Sequence, residues 1–139
     1  MAASVHHIRE KGGESEKLTI NLGYVDLGRI DLLVQENFYS NRSDFIRAAI
    51  RKQLEAHNEV VTQSVARHTL EVGLRDYTRE VLEQHRAAGE VLHIKVVGLA
   101  RIASDVTPAL ARATIGSITV LGALQASPEV KSSLADRIR

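Results

Sequence analysis

The chain has 139 residues, 44% of them hydrophobic and 25% charged, the make-up of one soluble domain or two small ones. It has no cysteine, which excludes a disulfide framework, a thiolate metal site and a cysteine nucleophile. Net charge is +1, and residues 1–58 carry eight Lys/Arg against eight Asp/Glu, so only weak non-specific attraction to polyanions is expected. No apolar run approaches the ~18 residues of a membrane span, and no apolar leader opens the chain, so a cytoplasmic protein without membrane association is expected.

Residues 1–15 show no periodicity and read as a flexible arm. Arg9 and Lys11 could add phosphate contacts from it, and the adjacent His6 and His7 are a poor metal site. Then comes Lys17-Leu18-Thr19-Ile20-Asn21-Leu22. Its period of two puts Leu18, Ile20 and Leu22 on one face and Lys17, Thr19 and Asn21 on the other. A lone strand has two bare edges and too little core, and no second strand precedes the helices. Pairing with the same strand of a second chain is the simplest remedy. The antiparallel ribbon so formed displays Lys, Thr and Asn twice on one face, and the DNA major groove admits such a ribbon.

Two helical patterns follow. The first, 24–38, carries Leu27, Ile30, Val34 and Phe38 on one stripe, widened by Leu33. The second opens at Tyr39-Ser40-Asn41-Arg42-Ser43-Asp44 and runs through Phe45, Ile46, Ala49, Ile50 and Leu54. Asn41 is the expected cap; with Arg42, Ser43 and the free amides of the first turn it suits one phosphate oxygen.

Residues 16–57 resemble a ribbon-helix-helix DNA-binding domain of the Arc, MetJ and CopG kind. The likeness rests on Lys17-x-Thr19-x-Asn21, the turn Asn41-Arg42-Ser43-Asp44-Phe45-Ile46 and the closing Arg47-Ala48-Ala49-Ile50-Arg51. It implies base contacts from Lys17, Thr19 and Asn21, phosphate contacts from Asn41, Arg42 and Ser43, and an obligatory homodimer. The expected dimer core is Leu18, Ile20, Leu22, Ile30, Phe45, Ile46 and Ile50.

Beyond His57-Asn58-Glu59 the chain repeats. At an offset of 24, Ile94-Lys95-Val96-Val97-Gly98 matches Ile118-Thr119-Val120-Leu121-Gly122, and Val72-Gly73-Leu74 is a weaker copy at an offset of 25. Each copy reads as a strand through the glycine, a cap such as Ser104 or Ser127, and a short amphipathic helix. Strands are expected near 69–75, 91–102 and 117–125. The fold class is therefore α+β: an arm over 1–15, a ribbon-helix-helix domain over 16–58, and a small α/β unit of strand-helix repeats over 59–139. A short β-solenoid is the alternative for that unit. Its strands are apolar on both parities and want cover on both faces, which favours tetramers or higher assemblies.

Chemistry is sparse. The nickel-responsive ribbon-helix-helix proteins use a His-x-His pair, another His and a Cys. Here His68, His85 and His93 are scattered, so no metal or other cofactor is expected. There is no glycine-rich phosphate loop and no Gly-x-Ser-x-Gly elbow. Asp76, Glu80 and Glu83 fall at helical spacings from Arg75, Arg79 and Arg86, as on an ion-paired solvated face. An enzyme is not expected. The reading is a sequence-specific DNA-binding transcriptional regulator, a repressor by default, whose C-terminal unit assembles dimers. The alternatives are an antitoxin or partition-type adaptor with a protein partner, and a polymer-forming protein with a DNA anchor.

Overall fold

The computed structural model describes residues 13–139. The expected arm lies mostly outside them, as do His6, His7, Arg9 and Lys11. The chain divides into two compact units, Ser15–Ser64 and Val65–Arg139, with Gly13 and Glu14 grouped with the second. Among the described residues no helix is long and apolar enough to cross a membrane.

The first unit holds α1 (Tyr24–Gln35), α2 (Arg42–Ala56) and most of α3 (Asn58–Arg67). Residues 15–23 form neither helix nor strand within the single chain, and among the described residues none of them joins the sheet. Helix α1 stops short of the expected Phe38 because Asn37 takes a left-handed conformation, φ 66°. The amides of Asn37 and Phe38 then donate back to the carbonyls of Val34 and Leu33, both at 3.0 Å, the double bond that closes a helix end. Helix α2 starts where expected: Asn41 Oδ1 accepts from the Asp44 amide at 2.8 Å. Asp44 returns the favour by accepting from the Ser40 amide at 3.0 Å.

The second unit alternates β1 (Glu71–Tyr77), α4 (Arg79–Ala88), β2 (Leu92–Ile102), α5 (Pro108–Thr114), β3 (Ile115–Gln125) and α6 (Pro128–Ser133). The strands form one parallel sheet in chain order. Gly73 lies beside Gly98 and Gly98 beside Gly122, while Ile94 lies beside Ile118. Leu82 of α4, Leu110 and Ala111 of α5, and Val130 and Leu134 at α6 pack on Ile94, Val96, Ala100, Ile102 and Ile118 to make the core. The helices thus cover one face of the sheet. At its far edge Ile138 bridges Ile118. Arg137 fixes that turn by donating to the carbonyls of Arg112 and Ile115, at 2.7 and 2.6 Å.

Two local expectations change. The cap of α5 is Thr107, which accepts from the Leu110 amide, and not Ser104. Pro108 decides this, since its fixed φ suits the first helical position and its missing N–H costs nothing there. Arg75 and Asp76 belong to strand β1, so they cannot share a helical face with Glu80 or Glu83. Arg75 pairs with Glu71, Asp76 with Arg101, and Arg79 with Glu83.

Candidate nucleic-acid interface

Residues 16–22 alternate in composition but not in burial: all are exposed in the single chain. Leu18 is 78% exposed, Ile20 63% and Leu22 40%. Lys17, Thr19 and Asn21 are exposed as well, at alternate positions of the same stretch. The helices add little core of their own. Ile30, 8% exposed, is buried in α1, and α2 buries no residue. Phe45 and Ile46 are half-buried and Ile50 is exposed. Phe45 stacks edge-on against Tyr39, centroids 5.1 Å apart, at the mouth of the α1–α2 turn.

Thus the seven apolar residues expected in a dimer core divide in one chain. Ile30 has cover already; Leu18, Ile20, Leu22 and Ile50 do not. A unit of this size with so few buried apolar side chains falls short of offsetting its chain entropy.

At the start of α2, Asn41 and Ser43 are exposed beside the first-turn amides. Arg42 reaches back to α1, its Nε and Nη2 each 2.8 Å from one oxygen of Asp31. That bidentate fork lowers the Asp31 carboxyl below the ordinary carboxylate range, chiefly by hydrogen bonding, which outweighs an opposing desolvation and is helped by the charge of Arg42. Arg42 is raised by the same partner. A guanidinium has five N–H groups, so the fork leaves donors for an anion while fixing the plane of the head group. Asp31 is the one partner at this end that spacing could not reveal, because it lies eleven residues away on another helix.

The histidines of the second unit are spread apart. His85 donates from Nδ1 to the Val81 carbonyl at 3.0 Å, and His93 Nδ1 lies 2.7 Å from Ser117 Oγ. Among the described residues no group of three His, Cys, Asp or Glu side chains could hold a metal.

The comparisons with known proteins agree with this arrangement at the level of family. No curated protein and no solved structure matches the chain. The family model described as the ribbon-helix-helix transcriptional regulator family matches residues 13–131, which takes in the exposed stretch 16–22, the helix pair and the whole parallel sheet. The chain belongs to the ribbon-helix-helix transcriptional regulator family.

Proposed function

We propose that two chains pair their Lys17–Leu22 segments antiparallel and insert the resulting ribbon into the major groove of an operator. Lys17, Thr19 and Asn21 then meet base edges, where Lys donates to guanine and Asn pairs bidentately with adenine. The observation that carries this reading is the bare apolar side of the strand: Leu18, Ile20 and Leu22 have no cover in one chain, and a second copy of the same strand supplies it. Asn41, Arg42 and Ser43 take a backbone phosphate at the start of α2, which positions the protein without reading sequence.

Dimers assemble further through residues 59–139, and the default outcome at the operator is repression. The geometry of the sheet supports assembly: among the described residues β1 pairs with β2 alone, and the edge of a sheet is a template for another strand. Linked dimers on adjacent half-sites would gain by effective concentration.

The pairing is tested by Ile20→Asp. Light scattering of the full chain should give a dimer or a multiple of it for wild type, and half that mass for the variant at the same concentration. Wild type that stays monomeric at high micromolar concentration refutes the ribbon.

A further inference from the structure

The sheet has two unlike edges, and they fit one another. At one edge, residues 137–139 hold β3 near its start. The Ile118 amide donates to the Arg137 carbonyl at 2.9 Å, and the Arg139 amide donates to the Ile118 carbonyl at 2.8 Å. From Val120 to Gln125 no backbone bond covers that edge among the described residues. At the other edge β1 starts late: it begins at Glu71, opposite Val96, whereas β2 begins at Leu92. Val96 in turn lies opposite Val120. The same register carried one strand further therefore sets Glu71 opposite Val120, the first open position of β3.

We infer that β3 of one chain pairs in parallel with β1 of the next, head to tail, so that the sheet runs on from molecule to molecule. The inference rests on the reading that residues 59–139 assemble chains, and it names the contact. It does not depend on what reads DNA.

The backbone groups face the right way for this joint. A strand turns successive N–H and C=O pairs to opposite edges, and a parallel partner bonds from the residues on either side of the one opposite. Ile118 faces outward to residues 137 and 139, so Val120, Gly122 and Leu124 face outward too. Tyr77 faces β2, since its carbonyl accepts from the Ala103 amide at 3.0 Å, so Val72, Leu74 and Asp76 face outward. Gly122 then sits opposite Gly73 of the next chain, between the outward groups of its Val72 and Leu74. A slip of one residue would lose every bond.

The side chains agree. Val72, Val97 and Leu121 form one row, in which Val72 is 59% and Leu121 60% exposed. Leu99 in the next row has a strand on each side and is 8% exposed. The joint sets Leu121 beside Val72 of the next chain and Ala123 beside its Leu74. Charges on an edge strand commonly guard it against pairing, but those of β1 are already answered. Glu71 pairs with Arg75 at 2.6 Å and Asp76 with Arg101 at 3.5 Å, so the incoming strand brings no lone charge. Within the chain, the Gly73 carbonyl fills the place of a side chain on Gly98, and the Gly98 carbonyl does so on Gly122. The Gly122 carbonyl meets a matching gap on Gly73 of the next chain. Dilution opens the joint, and Gly73 then differs from the other two. Such a contact is heterologous and does not close in a pair, so assemblies grow with concentration.

Cross-linking gives the test, because the chain has no cysteine of its own. Val72→Cys and Leu121→Cys are made as separate full-length proteins, each at a largely exposed site. They are mixed and treated with a short bismaleimide, which spans the ~4.8 Å between neighbouring strands. The mixture should give about tenfold more cross-linked dimer than either variant alone, since the joint holds the two thiols at high local concentration. Light scattering of wild type should show mass rising above the ribbon dimer with concentration. Val72→Pro, which removes an outward N–H that an edge strand can spare, should return it to the dimer with the circular dichroism unchanged.

Cross-linking in Val72→Cys alone as strong as in the mixture overturns the joint, for two β1 edges would then be pairing. Growth in mass without the mixed cross-link also overturns it, and leaves assembly standing through another surface. Wild type that never exceeds the dimer overturns the assembly reading and this inference with it.

Discussion

The glycine column of the parallel sheet allows a graded test of how closely its strands are packed. Gly73, Gly98 and Gly122 sit side by side with φ of 128°, 138° and 122°, values that L side chains rarely adopt. Alanine at any of the three pays for that backbone conformation, about 1–3 kcal/mol. The surroundings then separate them. A Cβ on Gly98 would press inside contact distance of the Gly73 carbonyl oxygen and lie 3.0 Å from its carbon. A Cβ on Gly122 would meet the Gly98 carbonyl in the same way, 2.9 Å from its carbon. Among the described residues no strand flanks Gly73 on its other side, and its Cβ would meet only the far end of the Arg75 side chain, at 3.7 Å. Pushing one strand's backbone off another adds about 1–3 kcal/mol, as overpacking does elsewhere.

Gly73→Ala should therefore cost about 1–3 kcal/mol, and Gly98→Ala and Gly122→Ala about 2–6 kcal/mol. Urea unfolding followed by far-ultraviolet circular dichroism reads these costs as falls in the midpoint. Gly28→Ala is the control. It lies inside α1 with nothing within 4 Å of a new Cβ, and should gain about 0.5–1 kcal/mol. Equal losses at all three column positions would refute the contact argument, and no loss at any of them would refute the backbone argument too.

The Arg42–Asp31 fork should titrate visibly. Because the folded Asp31 carboxyl is lowered, its pairing contributes above the unfolded value near pH ~4 and is lost as pH falls through the lower folded value. Carbon NMR of the Asp31 carboxyl should show a midpoint below that of an ordinary aspartate, returned to normal by Arg42→Ala; an ordinary midpoint in wild type contradicts the fork. On DNA, Arg42→Ala should weaken cognate and unrelated duplexes by the same factor and flatten the salt dependence, as loss of a phosphate contact does. Selective loss of the cognate site would instead make Arg42 a base reader.

What could be read in the sequence was local chemistry. Asn41 and Ser127 each begin a helix as expected, because a cap depends on residues three or four positions apart. The repeat offset of the glycines was equally plain, though nothing in a spacing gives the sign of φ. Errors came where two local signals competed. Phe38 continued the apolar stripe of α1, but Asn37 ahead of it tolerates the left-handed turn that ends the helix. Ser104 looked like a cap until Pro108 fixed the start four residues on. Arg75 and Asp76 fit a helical spacing yet lie in β1, since charged residues on an edge strand carry no period of their own. Partners distant in sequence, Asp31 for Arg42 and Gly13 for Gln125, depend on tertiary geometry that no spacing encodes.

The most direct test of the account is a fluorescence titration of the full-length protein. Its targets are duplexes from the region upstream of its own coding sequence, with unrelated duplexes of the same length as controls. Wild type should pick out one duplex over the controls. Thr19→Ala and Asn21→Ala should each weaken that duplex by about 1–3 kcal/mol and leave the controls unchanged. Cognate affinity that survives both substitutions would contradict the account, for the strand would then not be what reads the DNA.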